Sequence, residues 1–315
     1  MTDRYALYGL VVDSEVPLHQ DRPAPAGASP DVVVRLGEPV PKAAEPEGEL
    51  LLQFRVDEFG YALVRDGDGY LFRVLGSCDF RISADLRDVS YHPAEGGDDI
   101  GSVLVTGALL ALELYLRGLP VLHASAVDVG DRAIGFVGQS GRGKSTMATL
   151  LCRDGGRLIT DDVLRVDHLD TVPRARLGAT ELRLRKGADA LSSELGQAVR
   201  RTSVDGREIV SLPDDAQDGL PLAALVIPTP TRDGTPARVD RVGEREATFA
   251  LLNFPRLLGW RDPVRVQQGF AHAAALARSV PVLHAQIPWG PPFPPEVAAL
   301  VRAAVAEHAD EVSPH

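Results

Sequence analysis

The sequence predicts an α/β (α+β) protein, in which a loop-and-helix core on a mixed, largely antiparallel sheet follows an N-terminal β-rich domain. Three observations carry this expectation. Short apolar runs separated by turn residues fill 5–98. A glycine-rich stretch, Gly138 to Ser145, stands between an apolar run and a helical one. Only Gly130-Asp131-Arg132 separate the two apolar runs before it. A parallel pair would need a crossover of roughly a dozen residues or more.

Taken in order, Tyr5 to Val12 reads as one strand, and Val16-Pro17-Leu18 leads into a Pro/Ala/Gly loop over Pro23 to Pro30. Val32 to Leu36 is the next strand, followed by the Pro/Glu-rich segment Glu38 to Glu49. Leu50 to Val56, Tyr61 to Arg65 and Gly69 to Leu75 are divided by Glu58-Phe59-Gly60 and Asp66-Gly67-Asp68-Gly69. Those are turn signals at hairpin spacing, so a small antiparallel β domain is expected. His19 and His92 have no ligand spacing and read as surface residues. Ile100 to Arg117 is Leu/Ala-rich and predicts a buried helix capped by Asp98-Asp99 and ended by Gly118-Leu119-Pro120. The expected division is 1–98 for the β-rich domain and 99–315 for the core.

Leu122 to Val129 and Ala133 to Val137 are then the two strands of an antiparallel hairpin, and the glycine-rich loop hangs from the second. The common doubly wound folds feed such a loop from a parallel βαβ unit, so a different architecture is expected. Gly138-Gln139-Ser140-Gly141-Arg142-Gly143-Lys144-Ser145 fits G-x-x-x-x-G-K-[ST]. The three glycines free the backbone to turn its N–H groups inward as an anion nest. Lys144 can reach the outer phosphates, and the Ser145 hydroxyl can ligate Mg²⁺. Thr146 to Cys152 supplies the helix, which stops at Asp154-Gly155-Gly156. Residues 138 to 146, Thr146 included, are therefore the candidates for binding ATP or another nucleoside triphosphate with Mg²⁺.

Further on, Asp161 and Asp162 lie side by side within the apolar run Arg157 to Val166. On a strand they would point to opposite sides unless a bulge intervenes. One could then face the phosphate-bound Mg²⁺ and the other an incoming hydroxyl; the bland alternative is a surface turn. In the remainder, Leu222 to Ile227 reads as a strand stopping before Pro228. Leu276 to Pro288 reads as a helix end followed by a strand, and Val297 to His308 as a terminal amphipathic helix. His272, His284 and Trp289 lack a partner pattern, and Arg232, Arg238, Arg256 and Arg261 are equivalent candidates for phosphate or transition-state contacts.

With 315 residues, 44% hydrophobic and 24% charged, the chain reads as an ordinary globular protein. Its net charge of −11 argues against nucleic-acid and membrane partners. Two cysteines, Cys78 and Cys152, are too few for a disulfide framework. Neither a signal peptide nor a membrane span is evident, so a cytoplasmic location is expected. Assembly as a homo-oligomer is left open.

His123, the Gly138–Ser145 loop with Ser140-Gly141 inside it, and Asp161-Asp162 together resemble the HPr kinase/phosphorylase family, whose fold is related to phosphoenolpyruvate carboxykinase. The resemblance covers roughly 121–170 and, more loosely, 171–290. It implies Asp162 as the base for the substrate hydroxyl, with His123, Lys144 and Asp161 in the same catalytic group. It implies Ser145, Asp161 and, by best match, Glu181 as metal ligands. The family's glycine-rich signature does not follow Glu181; the chain has Arg183-Leu184-Arg185-Lys186-Gly187 there. With its β-rich N-terminal region, the pattern is more similar to the HPr kinase-like serine kinases encoded with modified-peptide pathways, such as those acting on lasso-peptide precursors. The expected function is transfer of the ATP γ-phosphoryl group to a serine of a peptide or protein. A small-molecule hydroxyl kinase, an HPr-type protein kinase and a nucleotide-binding regulator without transfer activity are the alternatives.

Overall fold

The computed structural model describes residues 3–41, 45–57, 59–97, 100–184, 191, 195, 199–202, 208–212, 216–290, 293–294 and 296–309. The chain divides into two compact units, Met1–Gly118 with Leu257–Gln268, and Leu119–Arg256 with Gly269–His315. The division therefore falls after Gly118 and not at the expected 98/99. The helical stretch before Gly118 is tied to the first unit by hydrogen bonds. The Ser102 hydroxyl donates to the Leu18 carbonyl at 2.8 Å, and Arg117 Nη2 to the Leu86 carbonyl at 2.7 Å. The expected cap at Asp98-Asp99 lies outside the described residues.

In the first unit, the apolar run at 5–12 is two strands, β1 (Asp3–Leu7) and β2 (Leu10–Ser14), paired antiparallel. Tyr8 and Gly9 turn the chain with φ of 56° and 69°, the signature of a two-residue type I′ hairpin. Tyrosine rarely takes positive φ. Here its ring is fully buried and its hydroxyl donates to the Thr106 carbonyl at 3.1 Å. β3 (Val32–Leu36) then pairs in parallel with β2 and with β8 (Asp88–Pro93), so the sheet is mixed and not simply antiparallel. The Pro/Ala/Gly segment before β3 is the long crossover that a parallel pairing needs. β4 (Leu50–Val56), β5 (Phe59–Asp66), β6 (Gly69–Val74) and β7 (Cys78–Ile82) complete an antiparallel meander into β8. The order is β1-β2-β3-β8-β7-β6-β5-β4. Tyr61, Phe72, Phe80 and Tyr91 form a cross-strand aromatic ladder, with successive centroids 5.9, 6.1 and 5.3 Å apart.

The expected single helix at 100–117 is α-helical at α1 (Gly101–Val103) and α2 (Leu110–Leu116), with a π-helical segment at Leu104–Leu109 between them. The Thr106 hydroxyl donates back to the Ser102 carbonyl at 2.8 Å inside this stretch, the kind of side-chain bond that perturbs a regular helix. Glu113 is fully buried and accepts from Arg117 Nη2 at 3.1 Å.

The second unit holds β9 (Val121–Leu122), β10 (Ala124–Asp128), β11 (Ala133–Val137), α3 (Lys144–Arg153), β12 (Arg157–Thr160), β13 (Leu164–Asp167) and β14 (Arg174–Ala175). A three-stranded sheet follows, β15 (Glu181–Leu184), β16 (Val199–Thr202) and β17 (Glu208–Ser211), with β17 central. β18 (Leu220–Thr231), β19 (Arg238–Arg241), α4 (Glu244–Leu251), α5 (Pro263–Ser279), β20 (Val282–Pro288) and α6 (Glu296–Ala309) complete the chain. The main sheet runs β12-β10-β11-β18-β14-β13-β9, with β20 beside β18 and β19 beside β20.

β10 and β11 form the expected antiparallel hairpin. Val129 N–H donates to the Arg132 carbonyl at 2.8 Å, and Gly130 and Asp131 have φ of 62° and 64°, again a type I′ turn. β11 is also parallel to β18, and β12 is antiparallel to the far side of β10. β11 and β12 therefore point the same way with β10 between them, and α3 packs on all three. The hairpin expectation holds; the parallel relationships depend on strands remote in sequence. Ile134 and Phe136 face one core with Met147, Leu150 and Val301, while Ala133 and Val137 face another with Ile159, Leu164 and Leu276. Burial on both faces is why this strand reads as an unbroken apolar run.

Two further boundaries differ from expectation. The strand at 122–129 breaks at His123, because β9 pairs with β13 whereas β10 pairs with β11 and β12. β18 continues through Pro228 and Pro230, beyond its last pairing with β11 at Val226, so the missing proline N–H groups cost no bond on that side. Both cysteines are free. Among the described residues, no helix is long and apolar enough to cross a membrane.

Candidate functional site

β11 ends at Val137, residues 138–143 form the loop, and α3 starts at Lys144. Gly141 and Gly143 have φ of 79° and 95°, and Gly143 is the N-cap of α3. The Met147 N–H bonds to the Gly143 carbonyl at 2.8 Å, which places the loop's last turn directly on the helix N-terminus. Gln139, Ser140, Gly141 and Arg142 are exposed, whereas Gly143, Lys144 and Thr146 are buried and Ser145 is half-buried. Lys144 Nζ donates to the carbonyls of Gly138 and Gln139 at 2.9 and 3.1 Å, so its ammonium lies over the loop.

The two aspartates do not sit in a strand. β12 ends at Thr160, and the Val163 N–H donates to the Asp161 carbonyl at 2.9 Å, closing a three-residue turn centred on Asp162 at φ 71°. A γ-turn with positive φ at its centre is rare and strained. The Thr160 hydroxyl donates to the Val163 carbonyl at 2.7 Å across the same turn. The expectation of strand alternation is thus corrected: a tight turn, not a pleat, sends the two carboxylates to different partners.

Asp161 turns toward the loop. Ser145 Oγ donates to its two oxygens at 2.9 and 3.1 Å, the Arg183 N–H to Oδ2 at 3.2 Å, and Ser125 Oγ to Oδ1. Burial raises its pKa, as does the neighbouring Asp162 charge, and the three donors only partly counter this. Asp162 turns the other way. His123 Nε2 lies 3.0 Å from Oδ1, and Arg256 places Nη2 at 2.7 Å and Nε at 3.1 Å from Oδ2. Burial opposes ionisation of Asp162, but Arg256, His123 and Lys144 outweigh it and hold the carboxyl well below the usual carboxylate range. Burial also lowers the pKa of His123, with Lys144 and Arg256 adding to the effect and Asp162 opposing it. The consistent state at neutral pH is an ionised Asp162 countered chiefly by Arg256, with a neutral His123 donating from Nε2.

The site therefore joins Ser145 to Asp161 on one side and His123 and Arg256 to Asp162 on the other, with the Lys144 charge acting on Asp162 and His123. Ser145 and Asp161 are hard oxygen donors in contact at the loop. Mg²⁺ is typically held by one or two carboxylates, phosphates and its own waters, so this donor chemistry fits it. Among the described residues, no group of three or more His, Cys, Asp or Glu gathers to cage a metal. Glu181 is buried at the start of β15, two residues before the Arg183 N–H that reaches Asp161.

Two residues here escaped the sequence. Ser125 is fully buried, and its place two residues after His123 in an apolar run was the available signal. Arg256 stood level with three other arginines because it lies 94 positions from Asp162, a separation that no local pattern spans.

The folded chain is similar to the Hpr(Ser) kinase/phosphatase from Coxiella burnetii, with a TM-score of 0.32 and 13% identity, covering 60% of this chain and 97% of that one. So distant a likeness says nothing about activity. No protein-family model and no curated protein matches the chain.

Proposed function

We propose that this chain is an ATP-dependent serine kinase that transfers the γ-phosphoryl group to a peptide or protein, with a ribosomally made precursor peptide as the favoured acceptor. One observation carries the reading. A glycine loop on a helix N-terminus is joined through Ser145 to Asp161, and the adjacent Asp162 faces His123 and Arg256. The loop amides and Lys144 would cradle the phosphates, which suits a reaction that asks mainly for positioning and charge neutralisation. Mg²⁺, held by Ser145 and Asp161 with Glu181 as a further candidate, would supply charge neutralisation at the phosphates.

In the reaction, the serine oxygen bonds to the γ-phosphorus, the bond to the ADP oxygen breaks, and the hydroxyl proton passes to Asp162. A carboxyl held so far below its ordinary range is a weak base, so Asp162 acts chiefly by orienting the hydroxyl and takes the proton late. His123 fixes one Asp162 oxygen and leaves Arg256 to balance the other. The choice of a peptide acceptor rests on the sequence resemblance alone. The acidic net charge supports the absence of nucleic-acid and membrane partners.

Mixing the protein with ATP-Mg²⁺ and a candidate peptide should add about 80 Da to a serine, the mass of one phosphoryl group. The proposed base is wrong if Asp162→Asn leaves the rate intact. Tight ATP binding without transfer to any acceptor would favour a regulator, and transfer only to small hydroxylated molecules would replace the peptide as substrate.

A further inference from the structure

We propose that Trp289 is the positioning residue of the 138–145 loop, and that its indole registers nucleotide binding there. The proposal rests on the nucleotide-binding reading above and adds a residue that no motif marks. β11, β18 and β20 are successive parallel neighbours, so their carboxyl ends share one edge of the sheet. Val137 leads from that edge into the loop, Thr231 ends β18, and Trp289 is the first residue after β20. Ligands of open sheets collect outside the carboxyl ends of parallel strands.

Trp289 is held there by three contacts, two of them on the ring. Its backbone N–H donates to the Thr231 carbonyl at 2.8 Å. Phe293 meets the indole edge to face, with centroids 5.2 Å apart and planes at 85°. The third contact is Gly143: a Cβ added at this residue would run into Cη2 and Cζ3 of the indole. Gly143 is therefore glycine for two independent reasons, its φ of 95° and the ring pressed against it. It is also the N-cap of α3 and the residue before Lys144 and Ser145. A wall against Gly143 sets where the first amides of α3 point, and preorganised donors bind phosphate without first having to be ordered. Conversely, an anion drawn onto those amides changes the field and packing at the indole.

The chain has two tryptophans, so Trp260→Phe leaves Trp289 as the sole indole reporter. ATP-Mg²⁺ is titrated into this variant, into the unaltered chain, and into Trp289→Ala and Trp289→Phe, by calorimetry and by emission. The expected result is a saturable change in Trp289 emission at the calorimetric Kd. Trp289→Ala should bind about tenfold more weakly, and Trp289→Phe within a factor of about three of the unaltered chain. Calorimetric binding to Trp260→Phe with flat emission overturns the proposal while leaving the nucleotide reading intact. A folded Trp289→Ala that binds as tightly as the unaltered chain overturns it too, and makes the ring a bystander. If Trp289→Ala does not fold, the emission titration and Trp289→Phe decide. Absence of calorimetric binding to the unaltered chain overturns both readings.

Discussion

Arg256 places two nitrogens on a single oxygen of Asp162, Nη2 at 2.7 Å and Nε at 3.1 Å, while His123 holds the other oxygen at 3.0 Å. Asp162 is thereby kept ionised by a cation that arrives from 94 positions away. On the function proposed above, its carboxylate would orient an acceptor hydroxyl over a pH range in which an isolated aspartate would already be protonated.

Removing that cation should therefore move the acidic limb of the activity profile. With Arg256 present, Asp162 titrates well below the ordinary value of about 3.9, and the proposed activity should persist as the pH falls toward it. In Arg256→Ala the limb should shift to higher pH, and kcat should fall about 10²-fold or more through lost charge stabilisation. Arg256→Lys should recover part of the loss, because one ammonium replaces two guanidinium donors. A pH–kcat profile with an unmoved acidic limb would show that Arg256 does not control Asp162.

Ser125→Ala removes a fully buried donor from Asp161. Leaving that carboxylate short of a partner should cost about 1–3 kcal/mol of stability. If Ser125 also orients Asp161 toward the cation, the Mg²⁺ concentration needed for nucleotide binding should rise as well. Thermal melts and a Mg²⁺ titration separate the two effects.

Glu113 should make the first unit lose stability as pH rises from about 4.3 to about 8. Burial pushes its carboxyl up to about 8, against about 4.3 in an unfolded chain, although Arg117 pulls in the opposite direction. The folded state thus holds the proton more tightly, and this contribution to stability is complete below about 4.3 and is lost as pH rises through about 8. Glu113→Gln cannot ionise, so its Tm should gain on the unaltered chain between pH 5 and pH 8 by more than a pH-independent offset. Parallel Tm curves for the two proteins would refute this.

Tyr8→Phe tests the strained first hairpin. It deletes the 3.1 Å bond from the buried hydroxyl to the Thr106 carbonyl and leaves the ring in place. A loss of about 0.5–1.5 kcal/mol in urea unfolding is expected.

The sequence by itself determines the features whose causes are local. Gly130-Asp131 is short and supplies two positive-φ positions, so the β10/β11 hairpin and the strand, loop and helix over 133–153 are legible in the amino acids alone. Only the tertiary structure decides the rest. His123 lies at a strand break because β9 and β10 have different pairing partners. Tyr8 holds its positive φ with its ring buried and its hydroxyl bonded to the Thr106 carbonyl, 98 positions away. Arg256 is singled out from four arginines only by where β12 brings Asp162. The aspartate pair was visible as a pair; its division between Ser145 on one side and His123 and Arg256 on the other is the work of a strained turn. Turn chemistry acts over a few adjacent residues, whereas pairing partners, burial and ion pairs are set by segments that meet only when the chain has folded.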